Sequence, residues 1–573
     1  MSRTFFITTA IDYTNGAPHI GHAYEKVLAD VIARYQRMKG SAVFYLTGVD
    51  QHGQKVQQSA EKAGIAPQEY VDGITAKFRA LWEKLDIRYD GWAATTDQLH
   101  KDCVRAILQK LWDDRDAGGS SRWIYKKTQR GFYSVRQEQF LTDKERGEDG
   151  QFGPEWGLVE EREEENYYFR LTKGGALDFD PKQWLLNFID ARSEAKNSFV
   201  VPDFRVSELR NAVEKLDGDL CISRPKSRLS WGIEIPFDPD FVTFVWFDAL
   251  VNYISFADYS TQAPNAEFSA RWPAVHVIGK DILIPAHGVY WPIMLKALGF
   301  TDEEMPTLLV HGWWNIRGKG GESEKMSKSL GNVVDPDVLA DKYGAEALRY
   351  YLMSDISTGR DADFSEERLI QRYNTELANS LGNLLNRTLN MAQKYREGTL
   401  QIESDFHSLV SQLAAGEEVE EKLPSGVAFE DRDQSSPKYR VKLAAFHSGG
   451  HAFHCYTKEM EECQVSNALS TASGVATACN SLIDLTAPWK LAKDPEQAEH
   501  LNAVLYHLAE SLRIIAILIS PVMPKAAAGI FEQLNWDGPM TLAEAEWGKL
   551  PDGHQLGKPT PLFPRIELPK PTE

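Results

Sequence analysis

The chain has 573 residues, of which 43% are hydrophobic and 25% are charged, and its formal net charge is −19 at pH 7. This length exceeds what one hydrophobic core supports, so we expect three or four domains, and the hydrophobic content excludes a disordered protein. The acidic balance disfavours a protein that grips nucleic acid mainly through phosphates, although stacking on a few bases needs only a local patch.

The sequence shows no feature of a membrane or secreted protein. No apolar run approaches the roughly 20 residues that cross a bilayer, and the apolar segment beginning at Thr4 leaves no room for a signal peptide. The five cysteines are scattered without a Cys-x-x-Cys pair, which is typical of reduced thiols. We therefore expect a cytoplasmic protein that does not bind membranes.

The N-terminal segment predicts a strand, a turn and a helix. The apolar run Thr4–Ala10 is typical of a buried strand, and a helical pattern covers Ala23–Arg37. The turn between them runs into the string PHIGHAY, which would direct helix N–H groups at an anion. His19 and His22 share one face of the first helical turn and can donate hydrogen bonds to phosphate oxygens. Gly21 between them lets a nucleotide approach the backbone.

The remaining elements predict an α/β fold: a split Rossmann-type parallel sheet with an inserted connective domain, followed by an α-helical bundle. Strands are expected at Val43–Leu46, Trp123–Lys126, Gly131–Val135, Phe241–Phe247, Val275–Ile278 and Thr307–Gly312. Helices are expected at Pro181–Glu194, Arg368–Tyr395, Lys438–Leu485 and Glu496–Ile519, with an acidic surface excursion at Ala414–Pro437. The domain boundaries follow as 1–115 (first half of the catalytic domain), 116–230 (insertion), 231–365 (second half), 366–530 (helical domain) and 531–573 (tail).

A second motif, Glu324–Asn332 (EKMSKSLGN), brings two lysines and two serines onto one segment. It follows the glycine-rich run Gly318–Gly321, which is suited to a loop that closes over pyrophosphate. Lys325 and Lys328 would supply positive charge, and Ser327 and Ser329 would supply hydroxyl donors. The strand carrying the first motif and this loop are expected to meet at the carboxyl ends of the sheet strands.

With PHIGHAY and KMSKS in this order, the chain resembles the class I aminoacyl-tRNA synthetases. Five further strings are similar to the methionyl-tRNA synthetases: AIDYTNG from Ala10, GVDQHG from Gly48, VWFDAL from Val245, IGKD from Ile278, and ELANSLGNLLNR from Glu376. The resemblance covers nearly the whole chain. It implies that L-methionine and ATP, with Mg²⁺, form methionyl-adenylate, and that methionine then passes to the terminal adenosine of tRNA(Met).

The resemblance also implies three sets of site residues. Catalysis and ATP binding fall on His19, Gly21, His22, Lys325, Met326, Ser327, Lys328 and Ser329. The methionine pocket falls on Ile11, Tyr13, Asp50, Trp246, Ala249, Tyr253 and His287, where Asp50 would pair with the α-ammonium group. Anticodon recognition falls on Asn383, Arg387 and Trp489. A flexible thioether suits aromatic walls, with sulfur–ring contacts of roughly 0.3–1.5 kcal/mol.

The chain departs from the family pattern at two places. Asp281–Trp291 is one residue longer than usual, which could rotate His287 on a helix. In the insertion, Ser134 and Gln137 stand where the family often has zinc-binding cysteines, and Gly131–Glu165 contains neither Cys nor His. We therefore expect no structural zinc. Some relatives append a tRNA-binding domain that dimerises, and without it we expect a monomer.

Two alternatives remain. Another apolar amino acid could be the substrate, but the gap of roughly three hundred residues between the motifs is too short for the large editing domain of the valine, isoleucine and leucine enzymes. Alternatively, the chain could be an idle tRNA-binding or scaffold protein. Such a protein would have eroded ATP motifs, whereas both are whole here.

Overall fold

The structure is a computed structural model that describes residues 3–134, 139–141, 143–147, 149–244, 246–262, 265–317, 322–326, 333–402 and 450–567. Its strands are β1 Phe5–Thr9, β2 Asp12–Tyr13, β3 Val43–Asp50, β4 Gly91–Ala94, β5 Ile124–Ser134, β6 Gln139–Leu141, β7 Val159–Phe169, β8 Val200–Val201, β9 Leu220–Cys221, β10 Ser223–Pro225, β11 Glu234–Ile235, β12 Asp238–Thr243, β13 Val275–Gly279, β14 Thr307–His311, β15 Trp314–Arg317, β16 Ser323–Lys325 and β17 Ala362–Phe364.

Helices alternate with these strands and then dominate the C-terminal part. They are α1 Ile20–Met38, α2 Gln54–Ala63, α3 Pro67–Lys84, α4 Gln98–Asp113, α5 Pro181–Glu194, α6 Val206–Glu214, α7 Trp246–Ser255, α8 Ala266–Arg271, α9 Lys280–Ile282, α10 Trp291–Leu298, α11 Pro336–Tyr343, α12 Ala345–Ser354, α13 Glu366–Arg372, α14 Asn383–Arg396, α15 Gly450–Glu461, α16 Val465–Thr486, α17 Pro488–Leu491, α18 Ala498–Ile519 and α19 Pro524–Leu534. Wider π-helical turns at Leu283–Tyr290 and Tyr373–Gly382 connect α9 to α10 and α13 to α14.

The chain divides into two compact units, and the first comprises Met1–Ala17, Leu46–Phe78 and Tyr89–Val310. Its sheet has the order β2-β3-β1-β13-β14-β8, with β4 also paired to β3. The β1–β13, β2–β3, β3–β4 and β14–β8 pairs are parallel, and β1, β13 and β14 are buried over four of their five residues. The predicted parallel-sheet fold class is confirmed.

Two smaller antiparallel sheets complete the first unit. One has the order β6-β5-β7-β9, and the other has the order β10-β12-β11. The predicted short strands Trp123–Lys126 and Gly131–Val135 form one continuous strand, β5, over the described residues. The strand predicted at Phe241–Phe247 is wrong in its second half, because Trp246 and Phe247 begin helix α7. An unbroken apolar run does not distinguish the end of a strand from the start of a buried helix.

The second unit comprises Pro18–Tyr45, Arg79–Arg88 and His311–Glu573, and its C-terminal part is helical. The helices predicted near Ala23–Arg37, Arg368–Tyr395 and Glu496–Ile519 are confirmed as α1, as α13 to α14, and as α18. The described part of the predicted helix Lys438–Leu485 is two helices, α15 and α16. Its earlier part and the acidic excursion Ala414–Pro437 lie outside the described residues, and the five domain boundaries stay predictions.

Among the described residues, one helix, Pro495–Ile519, is long and apolar enough to cross a membrane, although no such run was expected from the sequence. Its most apolar window is wholly buried inside the structure. Glu510 and Arg513 on this helix are fully buried and pair with each other at 2.7 Å. A buried helix with a paired charge in its interior is what the core of a helical bundle contains.

Candidate active site

Asp50, whose carboxylate is predicted to bind an ammonium group, is the last residue of strand β3. Tyr13 and Asp50 are register partners in the parallel β2–β3 pair, and Asp50 is 7% exposed. Gly53 follows with a φ of 111°, and a Cβ atom there would lie 2.7 Å from the Tyr13 hydroxyl. The glycine therefore lets the phenol lie beside the chain that carries Asp50. Ile11, between β1 and β2, is half-buried.

Helix α7 carries three of the predicted pocket residues. Trp246, Ala249 and Tyr253 follow a spacing of three and then four residues, which places them on one helix face. The Tyr253 hydroxyl lies 2.7 Å from His287 Nε2, and His287 Nδ1 lies 2.9 Å from the carbonyl oxygen of Ile282. The carbonyl oxygen can only accept, so Nδ1 carries the proton and Nε2 accepts from Tyr253. The structure thus brings Tyr253 and His287 together.

The stretch between Asp281 and Trp291 contains a π-helical segment at Leu283–Tyr290, which is interrupted by non-helical dihedral angles at Ile284. His287 lies within this segment, is 3% exposed and has its Nε2 atom 2.7 Å from the Tyr253 hydroxyl. The role of His287 in binding methionine stays a prediction.

A second histidine, which the sequence analysis missed, packs behind Tyr253. The His276 ring stacks on the Tyr253 ring with centroids 4.1 Å apart. Trp291 Nε1 donates to His276 Nε2 at 3.1 Å, so the proton of His276 lies on Nδ1, 2.7 Å from Thr8 Oγ1. Burial, and then the nearby His287, hold the pKa of His276 well below its usual value. The imidazole stacked on Tyr253 is therefore neutral.

A buried cluster next to Asp50 was not predicted from the sequence either. Asp248 on α7 accepts hydrogen bonds of 2.8 Å from His52 Nδ1 and from His100 Nε2. Burial opposes ionisation of Asp248, but the two histidines outweigh it and hold its pKa below the usual value. Burial, and then repulsion from Asp248, raise the pKa of Asp50 well above its usual value. His52 and Asp248 belong to strings that carry the family resemblance, but no local signal linked them to His100.

The two histidines of the first motif form the N-terminus of α1 in the second unit. His19 Nδ1 accepts from the Gly21 N–H and His22 Nδ1 accepts from the His19 N–H, each at 3.1 Å, in a reciprocal capping box. Both rings therefore carry their proton on Nε2, and they stack with centroids 3.6 Å apart. A Cβ atom on Gly21 would lie 3.0 Å from the His19 ring. Glycine at this position therefore also leaves room for the imidazole that caps the helix.

Of the second motif, the structure describes the segment up to Met326 and none of the residues from Ser327 to Asn332. Lys325 ends β16, which pairs antiparallel with β15 in the register Asn315–Lys325. Met326 is partly buried. The predicted residues Ser327, Lys328 and Ser329 lie outside the described residues.

The predicted anticodon residues lie on the helical part of the second unit. Asn383 begins α14 and is exposed, and Trp489 on α17 is 42% exposed. Arg387 donates a 2.7 Å hydrogen bond to Asp484, near the end of α16. This ion pair ties α14 to the segment that leads into Trp489.

Within the described residues, no group of three or more His, Cys, Asp or Glu side chains could hold a metal ion. Ser134, one of the two residues that stand where zinc-binding cysteines are common, donates a hydrogen bond to the carbonyl oxygen of Trp156 at 2.5 Å. Gln137, the other, lies outside the described residues.

Comparisons with known proteins identify the family to which this chain is similar. The family model for class I tRNA synthetases (M) matches residues 5–149 and 158–389, and the model for the anticodon-binding domain of methionyl-tRNA ligase matches residues 446–570. A methionine–tRNA ligase of Caldanaerobacter subterraneus subsp. tengcongensis is 39% identical, over 100% of this chain and 80% of that relative. A methionine–tRNA ligase of Bacillus subtilis is 40% identical, over 99% of this chain and 78% of that relative.

A solved structure extends the likeness to three dimensions. The Mycobacterium tuberculosis methionyl-tRNA synthetase bound by methionyl-adenylate superimposes with a TM-score of 0.82 at 32% identity, covering 98% of this chain and 100% of that chain. The family models together match well over half of the chain, and relatives match it end to end. The chain belongs to the methionyl-tRNA synthetases, class I.

Proposed function

We propose that the family's reaction, ATP-dependent ligation of methionine to tRNA, uses the residues described above in the following roles. Methionine carboxylate attacks the α-phosphorus of ATP, pyrophosphate leaves, and the terminal adenosine of tRNA(Met) then attacks the mixed anhydride. No side chain forms a covalent intermediate. ATP is expected to enter with Mg²⁺ on its phosphates, because Mg²⁺ keeps several waters and binds substrate phosphates rather than protein cages.

The first unit binds methionine. Asp50 receives the α-ammonium group in a charge-assisted hydrogen bond, beside Tyr13. The side chain lies against Trp246 and the paired Tyr253 and His287, whose neutral surfaces suit a polarizable thioether. The observation that supports this role is the 2.7 Å contact between the Tyr253 hydroxyl and His287 Nε2.

The second unit binds ATP and the anticodon. His19 and His22 present Nε2–H donors at a helix N-terminus, where developing phosphate charge is stabilised. Lys325 and Lys328 add positive charge from the loop of the second motif. Asn383 and Arg387 bond to anticodon bases, and the exposed indole of Trp489 stacks on one of them. Cytoplasmic location and a monomeric state stay predictions from the sequence.

ATP–pyrophosphate exchange, measured with each of the twenty amino acids in turn, tests this assignment. Methionine should be the strongest substrate, and Asp50→Asn should raise KM for methionine far more than KM for ATP. A stronger signal with another apolar amino acid would contradict the pocket. Absence of exchange with every amino acid, together with tight tRNA binding, would favour the idle tRNA-binding protein.

A further inference from the structure

The buried cluster around Asp248 lies beside the carboxylate that we assign to the methionine ammonium group. Asp248 is 1% exposed and is held by two imidazoles from different parts of the chain: His52, two residues after Asp50, and His100 on α4. The His100 ring is fixed in turn, because its Nδ1 lies 2.8 Å from Ser255 Oγ. Three segments of the first unit are thus tied together through one carboxylate.

The two neighbouring carboxylates have unequal partners. Asp248 receives two hydrogen bonds of 2.8 Å, and Thr243 Oγ1 lies 3.4 Å from it. Among the described residues, Asp50 receives contacts of 3.4 Å, from the His52 N–H and from Thr95 Oγ1. The better-satisfied carboxylate stays ionised and repels charge on the other, which is the usual way in which a protein gives two acids different tasks.

We propose that the His52–Asp248–His100 cluster positions Asp50 for the methionine ammonium group and, through the negative charge of Asp248, sets the acidity below which methionine no longer binds. This inference rests on the proposed function. An incoming ammonium group relieves the repulsion between the two carboxylates, so methionine binding is favoured when Asp50 is ionised. Asp248 is a positioning residue in this scheme, because it acts through Asp50 and His52.

The other polar groups near the pair do not replace this cluster. Strand β2 contributes the Tyr13 hydroxyl near Gly53, and β12 contributes the uncharged Thr243. The segment after β10 contributes Arg228, which bonds Glu164 on β7 at 2.7 Å and Gln54 at 3.4 Å. That segment also contributes Trp231, whose ring packs edge-on against His52 and whose Nε1 donates to the carbonyl oxygen of Gln51. On the far side of α7, Tyr253 is paired with His287.

Asp248→Asn tests the proposal, because a neutral imidazole can present an acceptor to the new amide and keep the cluster paired. Removing the charge makes Asp50 easier to ionise. When the pH falls from about 7.5 to about 5.5, KM for methionine increases by some factor in the wild type. In Asp248→Asn that factor should be about one third as large. His100→Gln keeps a donor for Asp248 and leaves the Asp248 charge in place, so it should keep the wild-type pH dependence of KM. A changed pH dependence in Asp248→Asn, with the wild-type dependence kept in His100→Gln, is not expected from a merely structural role.

Asp552→Asn, on an exposed loop of the second unit, is the matched control and should keep the wild-type profile. Calorimetry of methionine binding in buffers of different ionisation enthalpy gives a second readout: Asp248→Asn should release fewer protons at about pH 6. A folded Asp248→Asn protein with the wild-type pH profile overturns the proposal, and so does a folded His100→Gln protein whose pH profile changes in the same way as that of Asp248→Asn. Failure of the proposed function is distinct, since the wild type would then show no methionine-dependent exchange.

Discussion

The guanidinium group of Arg349 on α12 donates a 2.7 Å hydrogen bond to the carboxylate of Asp30 on α1, and neither side chain is exposed. Arg349 also donates to the carbonyl oxygens of Leu85, Pro521 and Val522. One side chain thus joins the helix that begins with the first ATP motif to the turn between α18 and α19, within the second unit.

Arg349→Met should lower the free energy of unfolding by about 3–5 kcal/mol, because it leaves the Asp30 charge buried without this partner. Thermal melting checks this. Arg130→Met is the control, since Arg130 and its partner Glu161 are 70% and 60% exposed and their pair should contribute no more than about 1 kcal/mol. A second change, Asp30→Leu, should restore part of the loss. Equal melting of the two single variants would contradict the buried pair's role.

Tyr253→Phe should raise KM for methionine roughly tenfold with little change in kcat, because it leaves His287 Nε2 without its donor inside the pocket. Steady-state exchange at varied methionine concentration measures this. Tyr506→Phe removes a similar buried hydroxyl, one that donates to Leu550 in the second unit, and it should leave KM unchanged. A normal KM for Tyr253→Phe would remove the Tyr253–His287 pair from the pocket.

Local sequence was sufficient to predict β1, α1 and α5, whose apolar patterns and turn residues point to one structure each. It could not predict the π-helical segment around His287 or its interruption at Ile284, because a longer loop, a rotated helix and a π-helical segment can have the same length. Trp246 and Phe247 were misassigned since their apolar run has no distinguishing period.

The cluster around Asp248 was beyond sequence reasoning for a different reason. His100 and Asp248 lie 148 positions apart and meet only because α4 and α7 pack together. Single buried histidines carry no local signal that separates a structural role from a functional one.

Lys328→Ala should reduce methionine-dependent ATP–pyrophosphate exchange by orders of magnitude with little change in melting temperature, because the proposed role of its ammonium group is to stabilise the charge that develops as pyrophosphate forms. Lys549→Ala, a partly exposed lysine of the second unit, is the control and should retain exchange. Near-normal exchange in Lys328→Ala would contradict the role of the second motif.

Glu25 gives the second unit a pH-dependent contribution to stability. Burial opposes its ionisation, but Lys26 at 2.9 Å and His311 at 3.0 Å outweigh this and lower its pKa below 4.5. A carboxyl group with a lowered pKa in the folded state stabilises the protein above the unfolded pKa, and the contribution is lost as pH falls through the folded value. Glu25→Gln should therefore melt lower than the wild type at neutral pH, and the difference should shrink below about pH 4.5. Glu532→Gln, an exposed position, should show no such convergence.

Trp489→Ala should weaken tRNA(Met) binding by about 1–3 kcal/mol, the usual value of stacking one base on an aromatic ring. Because the indole is 42% exposed and α17 is short, melting and tRNA-independent exchange should stay unchanged. Trp489→Phe keeps a stacking surface and should recover most of the affinity. Binding is measured at fixed salt, since phosphate contacts make affinity salt-dependent. Equal affinity of the Ala and Phe variants for tRNA would show that Trp489 does not stack on the anticodon.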